Sequence, residues 1–235
     1  FFHPNEIVLG AGVHPLIAST LSLVGEEGPF RVLLPPSYGQ FFPTIHLAGG
    51  EEEIVSFDPH TTDTVSLKNA LEKSFLSDGG KKAPVKAFLL SYPTNPGGLY
   101  FSREAFETIL AFCQRHDIYL LADEIFLGTG RPDDQTSLFN LAQERKFKRF
   151  GRERLIGYSG LSKEFALGGV RFGFAYTRNR RLQTALASRQ LPGVDRTARA
   201  IAQTVYAPSF RRPYQRAHVS WLEGQRAKIV AFLKP

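Results

Sequence analysis

The residues that invite a chemical reading lie between Asn95 and Arg171. Ser162-Lys163 follows the apolar stretch Leu155 to Tyr158, and Arg171 comes eight residues after the lysine in Ser-Gly-Leu-Ser-Lys-Glu-Phe-Ala-Leu-Gly-Gly-Val-Arg. A lysine amine just past a buried strand can hold an aldehyde as an imine, and a guanidinium fork suits a phosphate. Taken alone, such a pair is ordinarily a surface lysine and a surface arginine in a polar loop. Two further segments weigh against that. Leu120-Leu121-Ala122-Asp123-Glu124-Ile125-Phe126 delivers a carboxylate at the end of another apolar run. There it can pair with a protonated pyridine nitrogen and keep that ring an electron sink. Ser91-Tyr92-Pro93-Thr94-Asn95-Pro96-Gly97-Gly98 places Asn95 in a turn, where its amide can donate to an oxygen on the same ring. An Asp at a strand end or an Asn in a turn is commonplace alone; the conjunction is not.

The elements that must position these groups alternate. Ile7 to Leu9 reads as a strand, then Gly10-Ala11-Gly12 as a turn, then a helix beginning near Pro15 with Leu16, Ile17, Leu21 and Leu23 as its apolar residues. Arg31 to Leu34 and Glu53 to Phe57 read as strands, with a helix after Ser37-Tyr38-Gly39. Thr64 to Leu76 fits an amphipathic helix whose stripe is Val65, Leu67, Leu71 and Phe75. Val85 to Leu90 is a strand, Ser102 caps a helix, and Ile118 to Ala122, Leu155 to Tyr158 and Gly173 to Tyr176 are strands. Apolar strands without polar alternation, separated by helices, predict a three-layer α/β/α fold around a mostly parallel sheet. Ligands bind such sheets beyond the carboxyl ends of the strands, where Asn95, Asp123 and Lys163 fall.

The Asn-Pro-Gly-Gly turn, the Ala-Asp-Glu-Ile strand end and the Ser-Lys with Arg171 resemble the class I/II, fold type I aminotransferases. Within them the closest likeness is to the 1-aminocyclopropane-1-carboxylate-synthase-like branch, over residues 5 to 205. The resemblance implies pyridoxal 5'-phosphate as cofactor, held as a Schiff base on Lys163, which also serves as the catalytic base. It makes Asp123 the partner of the pyridine nitrogen and Asn95 a donor to the ring oxygen. Arg171 and Ser162 become phosphate ligands, Tyr38 the aromatic that stacks on the ring, and Gly12, Val13 and His14 the phosphate-binding helix start. Free N–H groups at a helix N-terminus favour an anion independently of any likeness. An amino-acid substrate and a homodimer are further implications. Transamination and the loss of a β- or γ-leaving group both remain open.

The chain departs from the family in places. Phe126, counted with the cofactor-binding residues, stands where a tyrosine hydroxyl usually donates to the ring oxygen. Gly160 replaces a frequent phosphate-binding serine, and His14 a small hydroxyl residue. Residues 1–205 are expected to form the cofactor domain, and 206–235, with Trp221, Leu222, Ile229, Val230 and Phe232 at helical spacing, a helix toward a small domain that is absent. The arginine of that small domain, which clamps the substrate carboxylate, is not found; Arg211 and Arg212 are expected to be a solvated basic turn rather than substitutes. These departures keep a second reading open, a cofactor-binding pseudoenzyme without turnover.

Composition bounds the rest. The chain has 235 residues, 43% of them hydrophobic and 22% charged, which suits one sizeable core. It starts at Phe1 and contains no methionine, so a trimmed or partial chain is expected. No long apolar run or leader is readable, and a cytoplasmic protein with no membrane contact is the simplest expectation. The lone Cys113, in an apolar stretch, reads as a core thiol, and no metal pattern is present. Residues 145–235 hold 20 of the 29 Lys and Arg and 4 of the 22 Asp and Glu. The basic residues are scattered rather than interleaved with stacking aromatics, so nucleic acid is not expected as a partner.

Overall fold

The computed structural model describes residues 3–57, 63–77, 82–130, 136–190 and 193–233. Seven strands form one sheet: β1 (Ile7–Gly10), β2 (Phe30–Leu34), β3 (Gly50–Ile54), β4 (Val85–Ser91), β5 (Tyr119–Asp123), β6 (Leu155–Gly160) and β7 (Gly173–Tyr176). Their spatial order is β1-β7-β6-β5-β4-β2-β3. The pairs from β3 through β6 are parallel, and β7 lies antiparallel to both β6 and β1. The central strands are buried along nearly their whole length, as their unalternating Val, Leu, Ile and Ala content requires when both faces are covered.

Two cores sit on the two faces. One packs Leu67 and Leu71 of α3 (Thr64–Phe75) and Phe106, Ile109 and Cys113 of α4 (Arg103–Arg115) against Phe88, Leu90 and Leu120. The other packs Leu16, Ile17 and Leu21 of α1 (Val13–Gly25), Phe41 and Ile45 of α2 (Phe41–Leu47) and Leu186 of α8 (Arg180–Arg189) against Val32, Leu89, Leu121 and Ile156. The predicted three-layer architecture is therefore present. Between β5 and α8 lie α5 (Leu138–Leu141), α6 (Lys148–Glu153), α7 (Leu161–Glu164) and a 3-10 turn (Gly168–Val170). Two helices follow, α9 (Arg196–Tyr206) and α10 (Pro208–Leu233). A third, smaller core joins Leu161 and Phe165 to Ala198, Ala202 and Val205 of α9.

Local chemistry explains the boundaries. Ser102 accepts from the Ala105 N–H at 3.2 Å to start α4, and Asp195 accepts from the Thr197 N–H at 2.7 Å to start α9. Ala207, preceding a proline, takes an extended conformation (ψ 131) and separates α9 from α10. Cys113 is fully buried, and that burial pushes its thiol well above the ordinary range.

Three expectations need correction. β3 covers residues 50–54 rather than 53–57, because it is an edge strand whose Glu51, Glu52 and Glu53 pair with Arg31, Val32 and Leu33 of β2. Its polar sequence hid the bounds that pairing with β2 dictates. Val65 is 64% exposed and lies off the buried stripe of α3, two residues from Leu67 and so on the far side of the helix. Arg211 and Arg212 lie in the first turns of α10 rather than in a solvated turn. Residues Pro208–Leu233 form one helix, with Trp221, Ile229, Val230 and Phe232 exposed on it. Phe1, Phe2, Lys234 and Pro235 lie outside the described residues.

Candidate active site

The predicted site residues other than Gly12 meet in one place. Val13, His14, Tyr38, Asn95, Asp123, Phe126, Ser162, Lys163 and Arg171 line one cavity of about 420 Å³, together with Ile17, Phe41, Ile125 and Gly168. β5 ends at Asp123, in register with Ser91 of β4 and Tyr158 of β6, so the carboxylate emerges at the centre of the sheet edge. It is buried, and the Ile125 N–H donates to its Oδ1 at 3.2 Å. Burial raises its carboxyl to about 7 against the opposing pull of that N–H; Glu124 adds to the rise, while Ser91 and Lys163 oppose it. A buried carboxyl titrating near neutrality is poised for a cationic partner.

Lys163 leaves β6 through α7, and its Nζ stands 5.3 Å from the centroid of the Phe126 ring. The flat face of an aromatic ring is a favourable place for an ammonium. Phe126 thus meets the lysine directly, a contact the sequence did not announce. The turn that carries Asn95 is held shut by Thr94, whose Oγ1 accepts from the Leu99 N–H at 2.9 Å and whose carbonyl accepts from the Gly98 N–H at 2.8 Å. Tyr38 is 43% exposed at the rim, edge-on to Phe41 at 5.6 Å between centroids.

The opposite end of the cavity is built on glycine. Gly12 has φ 107, and a Cβ there would lie 2.5 Å from Arg171 Nη2. Arg171, itself left-handed at φ 55, donates to the Gly168 carbonyl at 3.0 Å and the Ala11 carbonyl at 3.1 Å. Its guanidinium is thereby fixed against the start of α1, where the Val13 and His14 N–H groups have no partner inside the helix. His14 Nε2 lies 2.9 Å from Thr44 Oγ1, whose hydroxyl donates to the Gln40 carbonyl at 2.7 Å; the ring nitrogen is therefore the donor. Burial lowers the His14 pKa, favouring the neutral ring. Gly160 admits no side chain, since a Cβ would lie 2.6 Å from the Phe172 carbonyl oxygen. The serine missing there is excluded by the close approach of β6 and β7.

A family model for aminotransferase class I and II matches residues 1–234. The chain belongs to that family. Pyridoxal 5'-phosphate is the cofactor of that family. The chain is 27% identical to 1-aminocyclopropane-1-carboxylate synthase 3 of Oryza sativa, over 99% of its own length and 54% of that protein. It is 26% identical to an aspartate aminotransferase of a Bacillus species, over 74% of its own length and 41% of that protein. Among solved structures, a PLP-bound C-S lyase from Staphylococcus hominis superposes with a TM-score of 0.81 at 16% identity, covering 99% of this chain and 57% of that one. The chain thus spans about half the length of the family relatives it matches. Among the described residues no helix is long and apolar enough to cross a membrane.

Sequence reasoning missed two features of the site. Ile125 and Phe41 line the cavity as plain apolar residues, and no pattern distinguishes them from core. Glu164, next to the lysine, is buried and paired with Arg211, which read as an ordinary basic residue because its partner lies 47 positions away.

Proposed function

We propose that the chain is the cofactor-binding part of an enzyme that acts on an amino acid through Lys163. The convergence of Lys163, Asp123, Asn95, Arg171 and the start of α1 on one cavity supports this most strongly. The fit to pyridoxal 5'-phosphate rests on two features of that cavity. At one end Gly12 leaves the space that an anion needs beside Arg171. At the other, Asp123 is a buried carboxyl with few donors around it.

When bound, the cofactor supplies an aldehyde for covalent attachment and a cationic ring that withdraws electrons from the substrate's α-carbon. Lys163 would provide the amine that holds the cofactor and the base that takes the substrate's α-proton. Asp123 keeps the proton on the ring nitrogen; a buried carboxylate opposite that N–H would ionise well below the value it has alone. Arg171, Ser162 and the Val13 and His14 N–H groups hold the phosphate, with α1 directing its positive end at it. Asn95 would donate to the ring oxygen, and Tyr38, at the rim, would supply an aromatic face for the ring.

In the same reading, residues 1–205 are the cofactor domain, α10 leads toward a further domain, and the assembly is a homodimer. A second reading, a cofactor-binding protein without turnover, is favoured by Phe126, which offers Lys163 an aromatic face and no hydroxyl. Titrating pyridoxal phosphate into the protein and then adding single amino acids separates the two. A visible absorption band that responds to an amino acid, with release of a keto acid, indicates transamination; release of ammonia or a thiol indicates a lyase. A band that no amino acid changes favours the second reading, and no band at saturation sinks both.

A further inference from the structure

α7 is only four residues long, and its two sides do different things. Ser162 and Lys163 face the cofactor cavity. Leu161 and Phe165 face the other way, into the small core with α9, and Phe165 meets Tyr206 at 5.1 Å and Tyr214 of α10 at 5.4 Å between centroids. Glu164 lies on that side too, and it is almost fully buried.

The Glu164 carboxylate is held from three directions. Arg211 Nε donates to Oε1 at 2.6 Å, and Gln215 Nε2 donates to the same oxygen at 2.6 Å. Both donors sit in the first two turns of α10, four residues apart and on one helix face. The third wall is Gly128, at φ 100, where a Cβ would come within 3.1 Å of Glu164 Cδ and 3.0 Å of Gln215 Nε2. Gly128 belongs to the loop that begins at Asp123 and passes through Phe126. One carboxylate thus joins the lysine's helix, the loop from Asp123 and the base of α10. Burial pushes this carboxyl up and Arg211 pulls it back down. Nothing in α9 or α10 lines the cofactor cavity.

We infer that Glu164 is a positioning residue for Lys163: through Arg211 and Gln215, the placement of α10 sets where the lysine amine stands in the cofactor cavity. The physical basis is that α7 has no length of its own to be rigid. A four-residue helix cannot hold a side chain in place by internal hydrogen bonds, so its orientation comes from what its far side grips. Removing a partner from a buried charge also costs far more than removing a surface ion pair, so the grip is specific. The inference rests on the reading of Lys163 as the cofactor's anchor, and the test separates the two.

The variants are Arg211→Met, which keeps much of the aliphatic stem, Arg211→Lys, which restores a cation, and Glu164→Gln, which keeps the shape. Arg212→Met, on an exposed position one residue along, is the control. Two readings are taken on each folded protein: pyridoxal phosphate affinity, and the rate of Lys163 acetylation by acetic anhydride in cofactor-free protein, followed by peptide mass spectrometry. We expect Arg211→Met and Glu164→Gln each to weaken affinity about fivefold and to change the acetylation rate about threefold. Arg211→Lys should return both to within about twofold of wild type, and the double variant should be no worse than Arg211→Met. Unchanged affinity and acetylation in Arg211→Met, or an equal effect from Arg212→Met, overturns the inference. If wild type binds no pyridoxal phosphate, the anchor reading fails instead, and the acetylation rates alone still decide whether Glu164 positions the lysine.

Discussion

Asp123 and Glu124 are consecutive, both buried, and both pushed above the usual carboxylate range chiefly by that burial. They face opposite sides of the sheet edge, as neighbours at a strand end do. Around Glu124 the donors converge: Ser137 Oγ at 2.9 Å, the Leu138 N–H at 2.7 Å, and the Tyr176 hydroxyl. Tyr176 in turn occupies space that only a glycine at 157 leaves open, since a Cβ there would lie 2.1 Å from its ring. Around Asp123 the chain supplies chiefly the Ile125 N–H, with a weaker contribution from Ser91. A carboxylate surrounded by its own protein's donors is a structural joint; one left largely to burial is held for something that arrives from outside.

The largest effect that could break this contrast is on the Glu124 side. Glu124→Ala removes the carboxylate that accepts from the Tyr176 and Ser137 hydroxyls and from the buried Leu138 N–H, and should cost about 3 to 4 kcal/mol, read as a lower urea midpoint. A loss under about 1 kcal/mol would mean the joint holds nothing.

Asp123→Asn should do the opposite in the cofactor-free protein. The Asp123 carboxyl titrates at about 7 in the folded chain, well above an exposed aspartate. The folded state therefore binds the extra proton between about pH 4 and 7, and stability falls as pH rises through that window. The slope should amount to about 2 to 4 kcal/mol across the window. Asp123→Asn should remove most of it while weakening cofactor binding, and urea denaturation at three pH values would detect the difference. An unchanged slope would place the titration elsewhere, Glu124 included.

Gly12→Ala comes next. It forces a Cβ onto Arg171 at a φ that side chains avoid, and should weaken pyridoxal phosphate binding by about ten- to a hundredfold with a smaller effect on fold stability. Pyridoxal without its phosphate should bind the variant and wild type alike. The smallest expected effect is that of Phe126→Tyr. A hydroxyl added beside Lys163 should lower the pH midpoint of the bound cofactor's visible band by about one unit; no change would mean the hydroxyl does not reach the ring oxygen.

The contrast between the two carboxylates also shows what a sequence can carry. Asp123, Lys163 and Arg171 were legible because their chemistry is unusual for the ends of apolar strands, and the strands themselves were legible because nothing polar interrupts them. β3 was legible as a strand but not in its bounds, because an edge strand with three glutamates has no apolar signature; its register with β2 defines where it starts and ends. Glu124 gave no signal in the sequence, since its donors come from Ser137, Leu138 and Tyr176, up to 52 positions away. Glu164 and Arg211 share that property. A residue whose role is to receive a ligand declares itself by its type, whereas one whose role is to grip another element is defined by a partner that only the fold brings near.

The most direct measurement is borohydride reduction of the protein loaded with pyridoxal phosphate, followed by peptide mapping. A single phosphopyridoxyl adduct on Lys163, absent in Lys163→Ala, is the expected result. An adduct distributed over other lysines, or one that persists in Lys163→Ala, would contradict the assignment of this cavity as the active site.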